Sequence, residues 1–598
     1  MSEQTLPRWD LASIFPDPTS GKYLAAVKYL RAGIDRLQGL FDEFGIGLDG
    51  GAHPQTDAEF ILSTSNEVSD MAELLDSYLY CWTTSDSNDT AASTAYGELE
   101  MVTSVLRALH PRLTTWLGSL KVDESTSGPI LLDHLYQVKR AAIGARHVMS
   151  AELEDLTAAL QSTGGQAWVR SRDETDASME TTITIDGEEK ETSLTELESL
   201  LSSPDRSKRL AAADAQNRAR ERAAPAFTAA LNAIKGEALT LSKRRKWDSP
   251  LDWSLFVSAI DQDILNAMFA AAETVHADLH GYMNAKATLL GIEKMAHYDL
   301  AAPVLADEPE LSWDECARIT QNVLGSFSPR LARVVESALS GNWVDVEARE
   351  GKVGGGYCAS VQPHGSRILI NFVPAFPTVQ VLAHELGHAH HNDCLSQRTS
   401  LQQDTPMTLA ETASMFCQRL VEEAVLNDAQ PRQKLAALDQ ILGEAVGLLI
   451  DLHARFHFEQ EVFARRVTRT LSVDELTAIM EEKQQRAFGD GMDANQVHKW
   501  QWVQKPHYYD TDFHFYNYPY QFGYLFSLGL LKIYRDEPES FVDRYETLLS
   551  RTGMASAYDL AKDFGIDIRD TAFWQGSVEV IRQDIVAFNE LAAAQGSM

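Results

Sequence analysis

Cysteine is scarce in this chain. Its five residues, Cys81, Cys316, Cys358, Cys394 and Cys417, are scattered through 598 positions with no C-x-x-C spacing. An odd, sparse set in a long chain excludes a disulfide framework, and thiols of this kind fit a reducing, cytoplasmic setting. Cys394 and Cys417 suit small buried residues better than ligands. Positive charge is short as well. The 52 Lys and Arg residues against 86 Asp and Glu leave a net charge of −34, so neither nucleic acid nor an anionic membrane surface is an expected partner. No apolar run is long enough to span a bilayer. The opening residues Met1 to Asp10 show no basic start followed by an apolar stretch, so no secretory signal is expected. Internal repeats and long low-complexity linkers are missing too, and the Ala-rich stretch around 210–235 reads as a closely packed helix.

What remains is globular in composition, with 44% hydrophobic and 23% charged residues. The length exceeds what one core usually serves, so two or more lobes are expected, divided near residue 200. Apolar residues recur at three-and-four spacing near 22–44, 57–81, 90–118, 130–160, 206–243, 262–291, 407–426 and 431–466, which predicts helices. Ser203-Pro204 and the pair Ser193 and Glu196 read as helix starts. Thr182 to Ile185 followed by Asp186-Gly187 predicts a hairpin. Residues 367–373 predict a strand that ends at Pro374, downstream of a glycine-rich stretch from Gly351 to Gly356. The fold class is therefore mainly α, with a small β element.

The most informative residues are His384-Glu385-Leu386-Gly387-His388. On a helix, His384 and His388 lie one turn apart on one face and can share a metal ion. Glu385 is about 100° round the helix, in reach of a water at that ion. Two imidazoles and a carboxylate base suit zinc-assisted peptide hydrolysis. Val379, Val381, Leu382, Leu386 and Ala389 give the segment an apolar face, and Thr378 after Pro377 is the candidate N-cap.

A catalytic zinc takes three protein ligands. His391 is three residues past His388, but three ligands from two turns of one straight helix strain a tetrahedron. Glu411, among apolar and small neighbours, is the stronger candidate, because a buried carboxylate needs a partner. It fits the solvated face of an ordinary helix nearly as well. Further on, Pro506-His507-Tyr508-Tyr509 precedes Phe515-Tyr516-Asn517-Tyr518-Pro519-Tyr520-Gln521-Phe522-Gly523-Tyr524. Imidazole and phenol groups can stabilise an oxyanion, and an aromatic segment can equally be core.

Taken together, these segments resemble the oligoendopeptidase F and thimet oligopeptidase family of zinc metallopeptidases. The resemblance rests on Trp9-Asp10-Leu11 with Ile14-Phe15-Pro16, on Ser203-Pro204-Asp205-Arg206, and on Gly351-Lys352, Gly355, Tyr357 and Ile368 to Phe372. It also rests on the metal motif, on Glu411-Thr412-Ala413-Ser414 and on the two aromatic segments. It covers nearly the whole chain and points to the bacterial oligoendopeptidase F branch. It implies a two-lobed helical body enclosing a deep substrate channel, with an N-terminal helical lobe over 1–200 and a zinc peptidase domain over 201–598. It implies one Zn²⁺ held by His384, His388 and Glu411, with His507, Tyr516, Tyr524 and Tyr520 lining the site. Gln418 stands where the family pattern has Glu, which alters a hydrogen bond behind a ligand without removing a ligand.

The expected reaction is hydrolysis of internal bonds in short unfolded peptides, with Glu385 as general base. Gly355, Gly356 and Tyr357 are the expected substrate-binding residues, and strand 367–373 is expected to accept the peptide backbone as an added strand. A peptide carrier without catalysis and a zinc aminopeptidase are the alternatives. The G-x-M-E-N segment of such aminopeptidases is not found here. The sequence leaves the oligomeric state open.

Overall fold

Polar residues cap many of the helices. Ser20, Asp89, Asp261, Ser312 and Ser472 each accept a backbone N–H from the first turn that follows them, which satisfies donors a helix leaves free. The computed structural model describes residues 6–595 apart from 48–57, 124, 126, 186 and 306–309.

The expected helices form, with breaks that periodicity does not reveal. Gly21–Glu43, Ala58–Ser85 and Thr90–Ser119 are continuous. The 130–160 pattern divides into Pro129–Asp133, Leu135–Gly144, a 3₁₀ turn and Ala151–Thr163. The 262–291 pattern divides into Gln262–Glu273 and His276–Leu289. The 431–466 pattern is Pro431–Val446 and Leu452–Arg466, joined by a π-helical segment, Gly447–Asp451. The long helix Arg206–Arg244 is capped by Asp205, whose carboxylate accepts from the Ser207 N–H, and not by Ser203. Ser193 does cap the helix Leu194–Leu200, but the Glu196 side chain bonds Thr192 and Lys190, so no reciprocal box closes.

The hairpin is β1 (Glu180–Ile185) paired with β2 (Glu188–Ser193). Gly187 at its turn takes φ +85°, and Asp186 lies outside the described residues. A second sheet has three strands, β3 (Val344–Asp345), β4 (Tyr357–Ser360) and β5 (Ser366–Leu369), in the order β3-β5-β4. Here the structure corrects an expectation. The strand expected at 367–373 forms only as Ser366–Leu369, and β5 is central, with β3 parallel on one side and β4 antiparallel on the other. Over 366–369 it is flanked on both sides, so that part of the strand cannot accept a further one. The edge strands are β3 and β4, and β4 is the one that follows the glycine-rich stretch.

Two compact units are formed, each from three separate stretches of chain. The first comprises residues 1–154, 310–424 and 533–566; the second comprises 155–309, 425–532 and 567–598. The first holds the three-stranded sheet and a core in which Tyr23, Leu30, Leu75, Tyr78 and Cys81 pack with Val361. The second is organised on Arg206–Arg244, whose Phe227, Leu231 and Ile234 meet Phe458, Met480, Trp502 and Tyr508. No single helix among the described residues is long and apolar enough to cross a membrane.

The second unit also encloses histidines in their neutral form. The His297 and His498 rings pack edge to face at 4.8 Å. Burial pushes His297 down to about 4 and holds His498 and His514 well below the ordinary imidazole range. An unfolded imidazole titrates near ~6.5. Between that pH and about 4 the unfolded chain therefore binds more protons, and stability falls as pH falls. Each such histidine contributes a slope of about 1.4 kcal/mol per pH unit. The urea midpoint is expected to drop steadily from pH 7 to pH 5; a flat midpoint over that range contradicts this reading.

Candidate metal centre

The motif lies on the helix Phe376–Leu395 of the first unit, beside β4 and β5. The helix starts two residues before the expected cap. Ala375 is the N-cap residue and Pro377 sits in the first turn, where a missing N–H and a fixed φ cost nothing. Thr378 instead ties the helix to the end of the sheet. Its hydroxyl donates to the Val373 carbonyl and accepts from the Val373 N–H at 3.0 Å.

Glu411 comes from a break between two helical pieces, Met407–Ala410 and Thr412–Asp428. Its Oε2 lies 3.3 Å from His384 Nε2 and 3.4 Å from His388 Nε2. One donor atom from each of the three residues falls within 4.8 Å of the others. Donors on a tetrahedron with bonds of about 2.0–2.1 Å are about 3.3–3.4 Å apart, so this N,N,O set fits a zinc ion. Burial opposes charge on Glu411, but the adjacent His384 and His388 imidazoles favour it and hold the carboxyl far below the usual range. Ser414 Oγ donates to the same Oε2 at 2.7 Å.

Behind the ligands, His384 Nδ1 is 3.0 Å from Gln418 Oε1. Gln418 turns its amide nitrogen to Glu422 Oε1 at 3.0 Å, and Gln380 donates to that oxygen at 2.7 Å. This network leaves Gln418 Oε1 to accept from His384, fixing the tautomer whose Nε2 lone pair faces Glu411. The glutamine at 418 therefore does orient a ligand. His391 does not join the cluster; its Nε2 is 2.8 Å from Thr552 Oγ1.

Glu385 is 5% exposed, and its Oε2 is buried with no hydrogen-bond partner among the described residues. Burial raises its pKa, against the attraction of His384 and His388. Such an oxygen calls for a cation or a proton donor. Backbone closes in on its other side. Gly355 takes φ +82°, which only glycine adopts freely. A Cβ on Gly356 would lie 3.3 Å from Glu385 Oε1 and 3.0 Å from Val381 Cγ1. The Tyr357 ring packs against Tyr80 and Trp9, with its hydroxyl 2.5 Å from Thr84 Oγ1.

Gly387 has a packing role that the motif alone does not disclose. A Cβ there would stand 2.5 Å from the Ala413 carbonyl oxygen and 2.6 Å from Ser414 Cα. Both are backbone atoms just after Glu411, so only glycine lets the third ligand approach. Gly387→Ala is expected to keep the helical content and lose metal during dialysis. Metal analysis beside circular dichroism checks this, and full metal retention contradicts it.

The aromatic residues belong to the second unit. His507 stacks on Tyr516 with centroids 4.6 Å apart, and the hydroxyl of Tyr520 lies 3.4 Å from that of Tyr516. Tyr516 and Tyr520 are part-exposed, whereas Tyr524 is buried. Arg455 Nη2 is 2.7 Å from His507 Nδ1. A guanidinium can only donate, so Nδ1 accepts and the ring proton sits on Nε2. Burial first, and then the charge of Arg455, lower His507 to about 4. Arg455 was missed in the sequence because nothing in its helical run marks it. Phe515, just before Tyr516, holds φ +58°, an outlier that its stacking on Phe463 helps to hold.

A helical protein with an H-E-x-x-H helix, a nearby carboxylate and an adjoining edge strand has the features of a peptidase. The profile of peptidase family M3 matches residues 199–580, well over half of the chain, and the chain belongs to that family. It is 21% identical over 603 residues to the group B oligopeptidase PepB of Streptococcus agalactiae, covering 98% of this chain and 97% of that protein. Its match to the oligopeptidase PepF of Bacillus subtilis is 23% identical and covers 58% of this chain and 52% of that one. In fold it is similar to the oligoendopeptidase F of Enterococcus faecium, with a TM-score of 0.66 and 19% identity over 98% of this chain and all of that one. It is likewise similar to PZ peptidase A, with a TM-score of 0.73 and 16% identity over 94% and 97%.

Proposed function

We propose that this chain is a zinc-dependent endopeptidase that hydrolyses internal bonds of short unfolded peptides. The observation that carries the reading is one helix bearing two imidazoles 3.3 and 3.4 Å from a shared carboxylate oxygen, next to Glu385, whose buried Oε2 has no hydrogen-bond partner among the described residues. His384, His388 and Glu411 would hold the ion. When bound, zinc supplies Lewis acidity, lowering the pKa of water and polarising a carbonyl.

Glu385 takes the proton of the attacking water and passes it to the leaving amine. Its raised pKa suits a base that must also act as an acid. His507, Tyr516 and Tyr524 donate hydrogen bonds to the oxyanion, and Tyr520 supports Tyr516 through its hydroxyl. The tautomer set by Arg455 prepares His507 for this, because it puts a donor on Nε2. The peptide backbone adds alongside Gly355, Gly356 and Tyr357, where the chain enters the edge strand β4. Tyr357 contributes its backbone, since Thr84 engages its hydroxyl. The restriction to short peptides rests on the enclosed channel implied by the family resemblance, and a cytoplasmic setting rests on the free thiols.

A fluorogenic peptide blocked at both ends tests the reading. Internal cleavage is expected. Turnover only with a free amino terminus would make the chain an aminopeptidase, and binding without turnover would make it a carrier.

A further inference from the structure

A second group of metal-ligating side chains lies wholly within the second unit. His453 and His457 are one turn apart on the helix Leu452–Arg466, with ring centroids 4.5 Å apart. Glu273, the last residue of the helix Gln262–Glu273, puts Oε1 3.4 Å from His453 Nε2. One donor atom from each of the three falls within 4.8 Å of the others. The donor types and the closest separation repeat those of the first centre.

Three further observations point to a ligand. His453 is 8% exposed, and its Nδ1 is buried with no hydrogen-bond partner among the described residues. His457 Nδ1 is 3.3 Å from Gln460 Oε1, which places the ring proton there and leaves the Nε2 lone pair free, as Gln418 does for His384. The π-helical segment Gly447–Asp451 leads into this turn and offers its Leu449 carbonyl to His276 Nε2 at 3.1 Å. His276 then packs edge-on against His453 at 5.1 Å and fixes that ring. Bulges of this kind gather at functional sites. Glu273 is exposed, so an ion has a way in.

We propose that Glu273, His453 and His457 form a second divalent transition-metal site, which clips the end of one helix to the start of another and does no hydrolysis. Two imidazoles and a carboxylate select ions of the zinc, cobalt or nickel class over calcium or magnesium. Ala454 follows His453, where Glu385 follows His384 in the motif, so this helix brings no base to a water. Arg486 and Lys483 act electrostatically on His457 and oppose a cation. The site is therefore the weaker of the two.

The test is metal stoichiometry of the full chain, with Co²⁺ as the probe, read by elemental analysis and by visible absorption. Wild type is expected to take up two equivalents, the second released first on dialysis. Glu273→Gln and His457→Gln, both at positions open to solvent, are each expected to hold one equivalent. Glu411→Gln is expected to keep the second equivalent after losing the first, so the two sites succeed or fail separately. A single equivalent in wild type that Glu411→Gln abolishes overturns the proposal. So does retention of both equivalents in Glu273→Gln and His457→Gln.

Discussion

Glu385→Gln is expected to lower kcat/KM on a blocked-end peptide by about 10²–10⁴-fold while zinc stays bound, a loss of about 2.7–5.5 kcal/mol of transition-state stabilisation. The amide keeps the volume of the side chain but cannot take a proton. The metal is retained because Glu385 is not among the three donors that converge. Folding should suffer little. Oε2 has no hydrogen-bond partner to lose among the described residues, and a neutral amide is easier to bury than the carboxylate it replaces. Near-normal turnover in a zinc-loaded variant would remove Glu385 as the base. A large loss that tracks loss of zinc would make it part of the metal site instead.

Glu411→Gln is expected to fail differently, losing zinc and activity together. Glu411 provides the only carboxylate oxygen close to both motif imidazoles in that cluster. Substitutions behind a ligand typically cost 10–100-fold in metal affinity, and losing a ligand should cost more than about 100-fold. Added zinc at high concentration should restore part of the activity, since both histidines remain. Zinc content at wild-type level after dialysis would move the third ligand elsewhere, although His391 is already held by Thr552. The two substitutions together separate the holding of the ion from the use of it.

The ligands were legible because helix geometry alone brings residues four apart together, and His384 and His388 need nothing more. Glu411 was legible only with the family resemblance beside it. Its approach depends on a helix break and on the bare Cα of Gly387, and neither has a periodic signature. The central place of β5 was not legible at all. Which strand lies at an edge depends on pairing with Val344 and Asp345, more than twenty residues away in sequence. The π-helical insertion at 447–451 leaves the apolar spacing nearly unchanged, so the run read as one helix. Gln418 was legible only through the family pattern, and Arg455 was not legible, because it acts through a hydrogen bond to His507, distant in sequence, of which composition carries no trace.

Stripping the protein with a chelator and titrating zinc back, with cleavage of a doubly blocked peptide as the readout, tests the central claim most directly. The metal-free protein should be inactive, and activity should rise in proportion to zinc and level off at one equivalent. Undiminished cleavage by protein shown to be free of metal would contradict the account.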